Sequence, residues 1–210
     1  MSLSKGLFQG RPMPSGRAFR AQLVTQGQRE LYDYWCQTAG SRSMPARSDI
    51  NPFSVPKLLP CIGLIDLTEG LGEARFRLAG TRLRDVYGEE ITGKRIDRVF
   101  AGVCADYWHQ VHARVAEEGA LLHGVVRGPV QGREHIVLFW LRLPLSQDGI
   151  GVDRILCYDT AAPIETVREV AEPPYATVRR LSRKCGPRAA AGALRLSRNF
   201  ARRICPSSAL

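Results

Sequence analysis

The sequence lacks the features that would place it in a membrane or outside the cell. No stretch approaches the roughly 18 uninterrupted apolar residues that a membrane-spanning helix needs. The first residues, MSLSKGLFQGRPMPSGRAF, carry Lys5, Arg11 and Arg17 but no apolar region of the kind found in a secretory signal. We therefore expect a cytoplasmic protein.

Familiar catalytic and metal-binding patterns are also missing. None of the six cysteines forms the close CxxC pair that zinc sites favour. Residues 88–95, GEEITGKR, end in Arg where a phosphate-binding loop has Ser or Thr. His109 and His112 stand three residues apart, which suits a metal-ligand pair, but two surface histidines are the simpler interpretation. We predict no enzyme activity, no catalytic residues and no metal site.

Acidic residues are absent from the last 35 residues of the chain. Residues 176–210 contain nine Lys or Arg, whereas residues 30–175 contain sixteen Lys or Arg against twenty acids. The positive charge therefore lies at the ends of the chain, around a mildly acidic middle part. A nucleic-acid-binding role for the middle part does not follow from the overall net charge of +10.

The tail has the pattern of a basic amphipathic helix. On a helical wheel, Leu196, Phe200 and Ile204 lie opposite a basic side. The predicted basic residues of the tail are Arg195, Arg198, Arg202 and Arg203. Such a helix binds an anionic membrane surface, an acidic protein partner or nucleic-acid phosphates; the alternative is a disordered solubilising tail. The apolar stripe makes nucleic acid the less favoured partner, because phosphate binding does not need it.

Between the ends, hydrophobic periodicity predicts an α+β domain. Residues 25–39 form an amphipathic helix, residues 62–66 and 75–79 form a hairpin, and residues 103–118 form a longer helix. Three further strands, at 121–130, 133–143 and 151–160, are separated by turn residues. Strands grouped around a helical block indicate an antiparallel sheet.

This element order resembles the PAS fold, and particular motifs narrow the resemblance. LYDYW at 31–35, MPARSDINP at 44–52, LP at 59–60, RFRLAGT at 75–81 and TG at 92–93 are similar to the bacterial single-PAS-domain family of small signalling proteins. The resemblance implies a PAS-like five-stranded antiparallel sheet with helices on one face, in addition to the N-terminal amphipathic helix and the basic C-terminal tail. We divide the chain into a flexible arm (1–24), a PAS-like domain (25–165) and a partly helical or disordered tail (166–210).

The resemblance implies sensing or protein interaction rather than catalysis, and it supplies no catalytic residues. Some PAS domains hold haem through a histidine of the long helix, which raises haem as an alternative for His109 or His112; the cofactor remains unknown. A small apolar cavity is expected beneath the helices. Its predicted ligand-binding residues are Phe76, Leu78, Leu83, Tyr87, Val111, Phe139 and Trp140.

The aromatic face of the first long helix has two alternative roles. Leu31, Tyr34 and Trp35 either cover the sheet of the same chain or form an interface in a homodimer. We predict a non-enzymatic sensor or adaptor that acts through a protein partner, with a small-molecule ligand as a further partner. The alternative is a regulator that its basic tail tethers to a membrane or to nucleic acid.

Overall fold

The computed structural model describes residues 16–102 and 104–167. Within them, five strands form one sheet in which every neighbouring pair is antiparallel. In spatial order the strands are β2 (Arg75–Ala79), β1 (Ile62–Asp66), β5 (Arg154–Pro163), β4 (Ile136–Leu145) and β3 (Leu122–Arg127). The predicted α+β fold with a five-stranded antiparallel sheet is confirmed.

Three helices between β2 and β3 cover one face of the sheet, which we call the inner face. They are α3 (Leu83–Tyr87), α4 (Ile96–Val99) and α5 (Ala105–Glu118). Gly88, with a φ of 82°, ends α3, and Gly119, with a φ of 58°, ends α5. Glycine adopts this left-handed conformation without the steric cost of a Cβ, so both helices stop where the sequence predicts.

Two N-terminal helices, α1 (Gly16–Arg20) and α2 (Gln26–Ala39), cover the opposite, outer face. A capping box starts α2: the Thr25 side chain accepts a hydrogen bond from the Gln28 backbone, and the Gln28 side chain accepts one from Thr25. The short helix α6 (Ile164–Val167) follows β5. Among the described residues, four 3-10 turns connect the elements, at Arg47–Asp49, Pro52–Ser54, Leu59–Cys61 and Leu71–Glu73.

The sheet separates two apolar cores. Leu138 and Trp140 of β4 point to the inner face, and Leu141 and Leu143 of the same strand point to the outer face. Alternate residues of a strand project from opposite sides, so both sets can be apolar only where both faces are covered. The continuous apolar run in β4 is therefore explained by α2 on one side and by α3 to α5 on the other.

The predicted boundaries are close to the observed ones, and one predicted helix lies outside the described residues. The last two predicted strands, 133–143 and 151–160, begin about three residues early relative to β4 and β5. The predicted tail helix, with Arg195, Arg198, Arg202 and Arg203, falls in the part of the chain that is not described. None of the helices within residues 16–102 and 104–167 is long and apolar enough to span a bilayer.

Candidate functional site

A buried ion pair lies on the inner face of the sheet. The Arg142 side chain of β4 donates from Nη1 to Oδ1 of Asp159, on β5, at 2.7 Å. Both side chains are fully buried, with exposed fractions of 0%. The same nitrogen also donates to the Leu141 carbonyl at 3.0 Å. Hydrogen bonds to the remaining polar atoms of a buried pair of this kind help to offset its desolvation.

Two further side chains extend this pair into a network. Tyr87, at the end of α3, donates its hydroxyl to Oδ2 of Asp159 at 2.8 Å, and Arg142 Nε donates to Nε2 of His112, on α5, at 3.4 Å. Burial, and then the Asp159 carboxylate, raise the pKa of Tyr87 well above its ordinary value. Burial and the neighbouring Arg142 lower the pKa of His112 well below its ordinary value. Tyr87 and His112 are therefore uncharged at neutral pH.

Aromatic rings enclose the guanidinium. The Arg142 guanidinium carbon lies 5.3 Å from the ring centre of Trp108 and 5.7 Å from that of Trp140. Tyr107 packs edge-on against both indoles, with ring centres 5.2 Å and 6.2 Å away, and Phe100 stacks on Trp108 at 4.5 Å. Rings at these distances attract a cation through their negative faces. We call Arg142, Asp159, Tyr87, His112, Tyr107, Trp108 and Trp140 the inner cluster.

The inner cluster contains hydrogen-bond donors without acceptors. Nη2 of Arg142, Nε1 of Trp140, Nδ1 of His112 and the hydroxyl of Tyr107 are buried and have no hydrogen-bond partner in the described structure. By contrast, Nε1 of Trp108 donates to the Pro129 carbonyl at 3.2 Å. Most buried polar groups in folded proteins are paired, so four unpaired polar atoms in one cluster require an explanation.

A glycine on β3 makes room for Trp140. Gly124 is the cross-strand neighbour of Trp140. A Cβ at position 124 would lie 2.7 Å from the Trp140 indole, closer than side chains approach one another. The absence of a side chain at this position therefore leaves room for the edge of the indole that carries Nε1.

A surface cleft borders the inner cluster. It has a volume of about 290 Å³ and is lined by Cys61, Arg82, Asp85, Val86, Ile136, Asp159, Thr160, Ala161, Ala162 and Pro163. β1 pairs with β5 only as far as Tyr158. Beyond this residue, the edge of β5 that faces away from β4 borders the cleft. Asp159 belongs to both the cleft and the inner cluster, so the cleft lies next to the ion pair.

The structure brings five of the seven predicted ligand-binding residues together. Phe76, Leu83, Tyr87, Val111 and Trp140 are all buried in the inner core. Leu78 and Phe139 are not part of it, and their placement in the predicted pocket is wrong. Arg77 forms a bulge, so Phe76 pairs with Ile65 while Leu78 pairs with the next residue, Leu64, on the other face. Phe139 adjoins Trp140 on one strand and must point to the opposite face.

The predicted interface residues lie on α2, within the same chain. Leu31 and Trp35 are fully buried in the outer core, and Trp35 donates from Nε1 to the Pro144 carbonyl at 3.0 Å. Tyr34 is half-buried; its hydroxyl accepts from the Asn51 N–H at 2.7 Å. Leu31 and Trp35 therefore cover the sheet of their own chain. They do not act as dimer contacts as predicted, because they are already buried against this sheet.

Sequence reasoning missed the polar half of the site. Arg142, Asp159, Tyr107 and Trp108 were not predicted as site residues, and His112 was expected at the surface but is fully buried. A signal was available: Arg142 stands alone in an apolar strand, IVLFWLRLPL, where a charge needs a buried partner. Among the described residues, no group of three His, Cys, Asp or Glu side chains is arranged to hold a metal ion.

The sheet order and the helix-covered inner face together define a PAS-type fold. The family model described as PAS domain matches residues 24–158. The chain therefore belongs to the PAS domain family, whose members serve as sensor domains in signalling.

Other comparisons add a distant structural likeness. Among solved structures, the chain is similar to a LOV protein of Rhodobacter sphaeroides, with 16% sequence identity and a TM-score of 0.40. That likeness covers 53% of this chain and 68% of the other. No curated protein matches the sequence.

Proposed function

We propose that this protein is a non-enzymatic sensor or adaptor in bacterial signalling, which receives its signal at the inner cluster and responds through α2 to a protein partner. Membership of the PAS domain family supports the sensing role. The inner cluster is the proposed site of the signal, because a bound molecule would give its unpaired donors the hydrogen-bond partners that they lack. Sensing by this arrangement needs no chemical step.

The observation that carries this proposal is a hydrogen bond that links the two faces of the sheet. Gln28, in the first turn of α2, is fully buried and donates from Nε2 to the Trp140 carbonyl at 2.9 Å. Its Oε1 accepts from the backbone N–H groups of Val24 and Thr25, each at 3.0 Å. One side chain therefore connects the backbone of an inner-cluster residue to the cap that starts α2.

This link gives a displacement of Trp140 a direct effect on α2. A shift of the β4 backbone at Trp140 weakens the Gln28 hydrogen bond, and Gln28 then holds the capping box less firmly. A cap contributes about 1 kcal/mol to a helix, so its loosening changes how often the first turn of α2 opens. Such a change in α2 is a response that a protein partner can detect.

A double-mutant cycle read by amide hydrogen exchange tests this coupling. Trp140→Phe is expected to change the opening free energy of the α2 amides in the parent protein, and to change it less in a Gln28→Met background. The interaction between the two substitutions is expected to reach roughly 0.5–2 kcal/mol, the usual range for coupled sites.

The matched control is Trp108→Phe, which removes an inner-cluster indole that lies on α5, whereas the carbonyl that accepts from Gln28 belongs to Trp140 on β4. Its effect should add to that of Gln28→Met without interaction. Purely additive effects of Trp140→Phe and Gln28→Met on α2 would rule out Gln28 as the link between the two faces.

A further inference from the structure

We propose that Arg142 Nη2, Trp140 Nε1 and the Tyr107 hydroxyl together bind one compact, uncharged molecule through a carbonyl oxygen. This inference rests on the proposed sensing function and names the chemical class of its signal. All three groups can donate a hydrogen bond, so the bound atom is an acceptor.

The side chains that carry the three donors are neighbours in the inner core. Burial raises the pKa of Tyr107, and a hydrogen-bond-like approach to the Trp140 side chain and the charge of Arg142 lower it in part. The Tyr107 hydroxyl does not reach full hydrogen-bond geometry with either of them. The rings of Tyr107 and Trp140 are 6.2 Å apart, and the Arg142 guanidinium carbon is 5.7 Å from the Trp140 ring centre. A carbonyl oxygen has two lone pairs, so it accepts from two of these three donors at a time.

The charges of the inner cluster favour a neutral molecule over an anion. The Asp159 carboxylate already balances the Arg142 guanidinium at 2.7 Å. Burial raises the pKa values of Tyr107 and Cys157, the latter to about 12, and lowers that of His112, so none of these three supplies a charge at neutral pH. An anion would add a second, unbalanced negative charge in a desolvated core, which is costly.

Surrounding contacts also limit the size of the molecule. Trp108 and Trp140 are fully buried, and Tyr107 has an exposed fraction of only 6%. The molecule therefore has few heavy atoms and an apolar remainder that packs against the rings. A carbonyl group supplies the acceptor that the donors lack, and the cleft beside Asp159 is the described opening next to the inner cluster.

Acetamide and acetate form a matched pair of probes, because both have four heavy atoms and only acetate is charged. Added to the full-length protein at equal ionic strength, acetamide is expected to raise the thermal unfolding midpoint more than acetate. Tyr107→Phe is expected to weaken the apparent affinity for acetamide about tenfold, the loss that one missing hydrogen bond produces. Stronger stabilisation by acetate would overturn the neutral class.

The same substitution has an opposite expected effect on the protein without acetamide. Tyr107→Phe removes a buried hydroxyl that has no partner in the described structure, so the midpoint is expected to rise by about 2–4 °C. Tyr87→Phe makes the same chemical change to a hydroxyl that donates to Asp159, and it is expected to lower the midpoint. A lower midpoint for Tyr107→Phe, with no stabilisation of the parent by acetamide, would show a permanently bound water and contradict the proposal.

The outcome for the ligand class can be separated from the outcome for the sensing function. If acetamide fails to bind while the Trp140–Gln28 cycle still shows interaction in α2, the ligand class is wrong and the coupling stands. If acetamide binds as expected and the cycle is additive, the site is supported and the proposed path to α2 is wrong.

Discussion

Replacing Arg142 by Met is expected to lower the free energy of unfolding by about 3–5 kcal/mol. The substitution keeps most of the side-chain volume but leaves the Asp159 carboxylate buried with only the Tyr87 hydroxyl as a hydrogen-bond partner in the described structure. An unbalanced buried charge is far less stable than either the ion pair or an apolar replacement of both residues. Urea unfolding followed by fluorescence of the tryptophans measures this loss.

Two comparisons separate the buried charge from other effects of the substitution. Arg142→Met with Asp159→Leu removes both charges and is expected to recover a large part of the loss. Arg20→Met removes a surface arginine that pairs with Asp33 at 2.8 Å, where both side chains are nearly half exposed, and it is expected to cost far less. Equal losses for Arg142→Met and Arg20→Met would contradict the burial of the ion pair.

Trp35→Ala is the second substitution with a large expected effect. The side chain is fully buried between α2 and the outer face of the sheet, and its Nε1 bonds to the Pro144 carbonyl. Removing it leaves a cavity and an unpaired carbonyl, so the free energy of unfolding is expected to fall by about 3–5 kcal/mol. The α2 amides should also exchange faster, because this contact holds the helix against β4.

Light scattering of the same variant tests the role of α2 in assembly. Under conditions where Trp35→Ala remains folded, its mass in solution is expected to equal that of the parent, because Trp35 contacts the sheet of its own chain. Tyr34→Ala, which truncates the half-buried neighbour, is expected to destabilise the protein less. A lower mass for Trp35→Ala alone would show that this residue also holds a second copy.

Much of the fold could be predicted from the sequence, because residues that start and end helices stand where the helices of the structure start and end. Gly88 and Gly119 end helices where their left-handed conformations are needed, and Thr25 with Gln28 starts α2 through a capping box. The position of Leu78 could not be predicted, because the bulge at Arg77 depends on pairing with β1 and not on the residues of β2 themselves. Phe139 was an avoidable error, since the alternation of a strand excludes it once Trp140 faces inward.

The inner cluster was hidden because its members are distant in the sequence. Arg142 and Asp159 meet only when β4 pairs with β5, and Tyr87 reaches Asp159 from a helix 72 positions earlier. Periodicity on α5 placed Val111 correctly but could not distinguish the buried His112 from the exposed His109. A single charge inside an apolar strand is visible in the sequence, whereas its partner requires the fold.

The central claim is that the inner cluster binds a small molecule and passes the effect through Trp140. The chain has three tryptophans, so a proton–nitrogen correlation spectrum of the full-length protein contains three indole N–H signals, each assignable by substitution with Phe. On titration with acetamide, the Trp140 signal is expected to move together with the Gln28 side-chain amide, while that of Trp35, which lies in the outer core, stays in place. A Trp140 signal that does not move in the folded protein, or equal movement of all three, would contradict the account.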